Sequence, residues 1–321
     1  MRTPVRECAF ILLPWLCAQS EERKVAMKIG IIGVGKVGGS FLAACHEAAA
    51  LEIVGIKVGR TPRANSSIRQ VYGVKVHEAG AAVLLEADVV LLTVPDGQIE
   101  NAAVELAGEL QAKAQNQQLS AKVCLHCSGS LGLEPLAPLA ELGIHCGSLH
   151  PLQSFAEARP VFSGIGMAVD GDPEAEQAAR FLAASLQAQP FTVPASERRA
   201  YHAAACFCSN YLVTVTAIAQ ELLSRWTADK ASALQVLLPL IDGTVQNLHQ
   251  VQQAGEALTG PIARGDADTV AGHLAVLPAA LQQVYRELGR QTVPLAFANG
   301  SINEETAAHL LQLLQERQAK E

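Results

Sequence analysis

Three glycines, Gly33, Gly35 and Gly38, follow the apolar run from Lys28 to Ile32. Glycines in this pattern bring a chain of phosphates against a polypeptide backbone. Gly33 permits a tight turn, Gly35 leaves room for a diphosphate to approach, and Gly38 lets the next helix pack on the strand. With Lys36 and Val37 they place the first amides of that helix at the anion, where the helix dipole is favourable. The spacing alone is a weak signal. The preceding strand and the following helix make it specific for a dinucleotide. The competing reading is a glycine-rich turn without a ligand.

The end of the second strand selects the dinucleotide. An acidic side chain there would hold a ribose 2′-hydroxyl. No acid lies between Glu52 and Glu78, and the segment reads Lys57-Val58-Gly59-Arg60-Thr61-Pro62-Arg63. Guanidinium groups pair with phosphate, whereas a carboxylate repels it. The expected cofactor is therefore NADP, held by Arg60, Thr61 and Arg63; the alternative is a solvated basic loop. Val94 and Pro95, closing the strand from Val89 to Val94, should border the cofactor. Asp96 reads as an ordinary helix cap.

Further polar groups close the next strands. His126-Cys127-Ser128-Gly129 follows one and His150 the other. Ser128, His126, Gly129 and His150 could meet a small-molecule substrate, although either histidine could equally be satisfied by local backbone. Cys124 and Cys127 have CxxC spacing, but no second pair accompanies them, so no metal is assigned. Downstream, His202, Cys206 and Asn210 recur every four residues and share one face of a helix. Imidazole titrates near neutrality, which makes His202 the first candidate for a proton donor. Asn210 and Ser128 would orient the substrate. Thr259 and Arg264 flank a Gly/Pro turn and could close over an anion.

The elements that position these groups alternate. Strands are expected at Lys28–Ile32, Leu51–Val58, Val89–Val94, Val123–His126 and Gly147–His150. Ile165–Val169 and Phe191–Val193 flank a helix that begins near Pro173. The fold class is α/β, a doubly wound, mostly parallel Rossmann-type sheet followed by an all-α second domain. After Pro194 only helices are read: 200–225 as one long helix, then 228–253, 266–277, 278–298 and 303–318. Ser196 is a plausible N-cap, and Ser301 with Glu304 has capping-box spacing. The expected domains are 27–194 and 195–321. Residues 1–26 read as a leader or a mis-annotated start, with Met27 opening the first strand.

Composition sets the outer bounds. The chain has 321 residues, 50% hydrophobic and 17% charged, with a net charge of -7. It is too apolar for disorder and lacks the basic surface that nucleic acid requires. No uninterrupted apolar run reaches the ~18 residues of a membrane span. Eight cysteines show no disulfide framework, which suits reduced thiols and a cytoplasmic protein. The Ala-rich helical half suits a homodimer.

From 27 to 300 the chain resembles bacterial proteins that join a Rossmann-like NADP-binding domain to a helical domain of unassigned function. The residues that carry the resemblance are Gly33–Gly38, His126–Gly129, His150–Phe155, Tyr201–Asn210 and Leu258–Asp266. The architecture is similar to ketopantoate reductase, pyrroline-5-carboxylate reductase and the β-hydroxyacid dehydrogenases. The resemblance implies hydride transfer to a small carbonyl or imine carbon, with a 2-oxo acid such as ketopantoate as its most specific form. Those relatives place a lysine where this chain has the face of His202, Cys206 and Asn210. Arg198 or Arg199 can supply its charge but not its proton. The alternative is an NADP-binding sensor or partner-binding protein that catalyses nothing.

Overall fold

The computed structural model describes residues 26–59, 72–113 and 119–315. Arg60, Thr61 and Arg63 lie outside the described residues. Contacts divide the chain into two units, one reaching Leu212 and one starting at Val213.

Among the described residues the first unit is built on a sheet of seven strands. β1 (Met27–Ile32), β2 (Leu51–Lys57), β3 (Val89–Leu92), β4 (Val123–His126), β5 (His145–Pro151), β6 (Gly166–Gly171) and β7 (Gln189–Thr192) pair in the order β2-β1-β3-β4-β5-β6-β7. All pairings are parallel except β5 with β6. The expected doubly wound, mostly parallel sheet is therefore present. β5 begins two residues earlier than the sequence suggested.

Helices cover both faces, which is why β3 and β4 are buried at every position. Side chains alternate between the faces. Ile29, Ile31, Leu91 and Leu125 pack with α1 (Lys36–Glu47) and, further along, α5 (Pro173–Ser185). Val90, Leu92 and Cys124 pack with α2 (Gly80–Glu86), α3 (Ile99–Lys113) and α4 (Ala137–Ala140). Each fully buried Leu or Ile contributes about 1.5–3 kcal/mol. Asp172 caps α5 by accepting from the Ala175 amide, and also accepts from the Cys146 amide. β2 lies on one side of β1 and β3 on the other. That reversal opens a crevice outside the strand ends, the usual ligand site of such sheets.

The single helix expected over 200–225 is instead two. α6 (Arg198–Cys208) meets α7 (Asn210–Leu223) at Ser209, where φ is -117° and ψ -72°. The Ser196 cap is not realised: α6 starts after a short 3-10 turn and has no side-chain cap. Among the described residues one helical stretch, 195–226, is long and apolar enough to cross a membrane by length and composition. Its apolar residues do not form an uninterrupted run, because His, Ser, Asn and Thr lie among them between Tyr201 and Ala219.

The second unit holds the rest of α7 with α8 (Lys230–His249), α9 (Ala267–Val276), α10 (Ala279–Ala298) and α11 (Glu304–Leu313). Asp229, Asp266 and Asn303 cap α8, α9 and α11. Asn303 thus takes the place expected of Ser301, because its side chain reaches the Thr306 amide. The core of the unit includes Val270, Leu274, Val293, Ala296 and Leu310. Of the 20 residues of α8, Ala233 alone is buried.

Candidate active site

The turn after β1 has the form that the glycine pattern requires. Gly33 has φ +96°, a conformation costly for any residue with a side chain. Its carbonyl accepts from the Thr93 hydroxyl, and its amide donates to Lys57 O at 2.9 Å. A Cβ on Gly38 would overlap the Gly33 carbonyl oxygen and the Thr93 hydroxyl, so helix and turn can meet this closely only at glycine. Gly35 is the opposite case: a Cβ there would meet nothing within 4 Å among the described residues. It opens α1 in an extended conformation, with the unpaired amides of the first turn beyond it. Val37 packs on the core, so only its backbone can serve a ligand.

This turn borders a cleft of about 630 Å³ whose lining includes Gly33, Gly35, Lys57, Val94 and Pro95. Lys57 at the end of β2 is paired with Glu105 at 2.8 Å and Glu109 at 3.7 Å. The residues present fit a dinucleotide: open space at Gly35, a glycine-only turn at Gly33, and a helix N-terminus facing the gap.

A second cluster lies beyond the ends of β4 and β5, met by α6. His126 is fully buried. Its Nε2 donates to Gly132 O at 2.9 Å, and its Nδ1 accepts from the Ser128 amide at 3.2 Å. Both nitrogens are thus engaged in the neutral form. Burial, with the Arg198 charge, holds its pKa down to about 4. His150 Nδ1 is 2.7 Å from the Tyr201 hydroxyl. Burial lowers its pKa to about 4 as well, aided by His202 and Arg198. Tyr201, pushed up to about 12 by burial, keeps its proton. The His150 and His202 rings are 6.1 Å apart, edge to face. Gly129 is wedged beneath them. A Cβ there would lie 2.7 Å from His202 and 2.8 Å from His150.

Arg198 anchors α6 to these strand ends. It is fully buried and donates to Ser128 O at 3.4 Å and to the Ser148 hydroxyl. Among the described residues its Nε has no hydrogen-bond partner, and neither has Asp170 Oδ2. Ser148 and Asp170 are register partners on β5 and β6, and the Asp170 charge supports the guanidinium.

The structure brings together Ser128, His126, Gly129, His150 and His202 from the sequence-derived set. It changes the reading of two. The Ser128 hydroxyl is 2% exposed, donates to Asp96 Oδ2 at 2.6 Å, and accepts from the Ser130 and Leu131 amides. It is therefore a brace for its own loop rather than a group free to orient substrate. His126, likewise, has no nitrogen to spare. Asn210 is exposed at the start of α7, and Thr259 and Arg264 are exposed in the second unit. Asp96 does not cap the helix as expected. Its Oδ2 accepts from both Ser128 and Ser130, joining the turn after β3 to the turn after β4. In the sequence Tyr201 stands out only as part of the 201–210 segment. No spacing rule flags either residue, because their partners are 32 and 51 positions away.

The cysteines divide by burial. The thiols of Cys45 and Cys146 are pushed up to about 12, and those of Cys124 and Cys127 also rise, all by burial first. Cys124 is part of the strand core. Cys206 lies 4.0 Å from His202 Nδ1, and Cys208 is exposed.

Comparison with known proteins agrees with this architecture. Residues 17–151 match the model of a Rossmann-like domain, and residues 165–292 match a domain of unknown function, DUF2520. A search of the curated proteins found no match. Among solved structures, a protein of Bacteroides fragilis described as an NADP oxidoreductase is 23% identical. It has a TM-score of 0.65 over 83% of this chain and 98% of its own. A pyrroline-5-carboxylate reductase of Streptococcus pyogenes is 17% identical, with a TM-score of 0.57 over 89% and 99%. A pyrroline carboxylate reductase of Plasmodium falciparum with NADP bound is 10% identical, with a TM-score of 0.55 over 90% and 98%. At these identities the likeness is one of fold.

Proposed function

We propose that this chain, a Rossmann-like domain joined to a DUF2520 domain, is an NADP-dependent oxidoreductase acting on a small carbonyl or imine substrate. The observation that carries the reading is the open space at Gly35, between a glycine-only turn and a helix N-terminus. Gly33, Gly35 and the amides of Lys36, Val37 and Gly38 would hold the diphosphate. Val94 and Pro95 would flank it, and Arg60, Thr61 and Arg63 would select the 2′-phosphate. The bound dinucleotide supplies hydride chemistry. The nicotinamide half would extend from the phosphate turn toward β4 and β5, since the adenosine half takes the β2 side.

His202 is the proposed proton donor. His150 is held neutral, and its Nδ1 is engaged by Tyr201. Cys206 lies near His202 Nδ1, and no partner from the described residues engages its Nε2. His202→Ala should lower kcat about 10²-fold with NADPH affinity unchanged. An unaltered kcat would remove His202 from the role. A protein that binds NADPH tightly yet reduces nothing on a broad panel of carbonyls and imines would be the sensor instead. A small 2-oxo acid such as ketopantoate remains the narrowest form of the carbonyl class.

A second copy of the chain is the proposed partner, in a cytoplasmic homodimer. Val236 and Leu240 on α8, and Leu288 on α10, are more than half exposed. α8 carries only Lys230 and Asp242 as charges, so its apolar face suits a like surface rather than a charged partner.

A further inference from the structure

We propose that Asp96 selects the substrate class at this site, favouring a protonated imine over a 2-oxo acid; the inference rests on the reductase reading and narrows it. The carboxylate stands at the end of β3, next to Pro95 of the cleft lining. Ser128 and Ser130 fix its orientation by donating to Oδ2 at 2.6 and 3.2 Å. Its Oδ1 takes no hydrogen bond from the described residues, and the residue is exposed.

No described cation is paired with it. His126 and His150, the nearby imidazoles, are uncharged at neutral pH. Arg198 is fully buried, turned to Ser128 O and Ser148, and offset by Asp170. The surface facing a substrate therefore carries an uncompensated negative charge. Such a charge stabilises an iminium ion and repels the carboxylate of a 2-oxo acid.

The chemistry agrees with the residues that are present. An iminium carbon takes a hydride, with both its electrons, from a reduced nicotinamide. A C–H bond forms, the π pair of C=N becomes the nitrogen lone pair, and a neutral amine results. The proton is already on nitrogen, placed there by solvent or by His202. A 2-oxo acid needs other provisions: a cation for its carboxylate and a donor for its nascent alkoxide. The helix face of His202, Cys206 and Asn210 offers a donor in His202 but no lysine for the carboxylate.

The test uses the full-length protein, with NADPH binding measured first by calorimetry. Pyrroline, a cyclic imine, is then compared with pyruvate as substrate. Pyrrolidinium binding to the NADP-loaded protein is measured without turnover. Pyrroline should be reduced in preference to pyruvate. Asp96→Asn retains an acceptor for Ser128 while removing the charge. It should raise the KM for pyrroline and weaken pyrrolidinium binding by about tenfold or more, and Asp96→Glu should restore most of both. Preference for pyruvate, or unchanged pyrrolidinium binding in Asp96→Asn, overturns the inference while leaving the reductase reading in place. Absence of NADPH binding overturns both.

Discussion

Replacing Gly35 by alanine separates ligand binding from folding. A Cβ at this position meets no atom of the described residues within 4 Å, and φ of -90° with ψ of -151° is extended backbone that alanine adopts. Alanine loses less entropy on folding but caps a helix less well, so the net stability change should stay within about 1 kcal/mol. A diphosphate against the turn would not be so tolerant. Amide-to-oxygen bonds hold at about 2.9 Å, while a methyl carbon needs about 3.5 Å. The phosphates must retreat, and each charge-assisted bond lost costs about 1.5–3 kcal/mol. One or two such losses weaken NADPH binding by about tenfold to 10³-fold. Calorimetric titration with NADPH, beside urea unfolding of the same preparation, reads both quantities. A folded Gly35→Ala protein whose NADPH Kd stays within about twofold of the parent would refute the placement of the diphosphate at this turn.

Gly38→Ala should do the reverse and damage the protein itself, since its Cβ would overlap the Gly33 carbonyl. A loss of about 2–4 kcal/mol in urea unfolding is expected, and unchanged stability would contradict the packing. Acid should destabilise the first unit. His126 and His150 have folded pKa values near 4, below the usual 6.5. The unfolded chain therefore takes up their protons first, and stability present above pH ~6.5 is lost as pH falls toward ~4, by on the order of 2–3 kcal/mol per histidine. A flat stability profile across that window would show that the imidazoles are not buried as described. Leu240→Glu should convert the proposed dimer to monomer in sedimentation equilibrium. A parent protein that is already monomeric at micromolar concentration ends the dimer proposal.

The sheet was legible because its signals are local. Met27–Ile32 and Val123–His126 are short apolar runs with turn residues behind them, and the Gly33–Gly38 pattern needs no distant partner. The helical half was legible as helix, but not in its joints. Ser209 breaks a helix that composition would continue, and Asn303 outcompetes Ser301 through a side-chain geometry that spacing does not encode. The strand-end cluster was half visible. His126 and His150 could be placed by the rule that ligands gather at strand termini, yet their protonation depends on burial and on Arg198, both set by tertiary packing. Asp96 reads as a cap because a carboxylate at a helix start usually is one. Only the fold brings Ser128 and Ser130 to it.

The uneven burial of the thiols has a practical use. Cys45, Cys124 and Cys146 are buried and Cys127 is half-buried, and burial pushes the pKa of all four up, so a maleimide dye should pass them by. Cys208, exposed on α6, would take the label, and with Cys206 it stands within two turns of His202. Once Cys8, Cys17 and Cys206 are changed to serine, one fluorophore would sit beside the proposed substrate site. Its emission would then register what enters there, even for a compound that is never turned over.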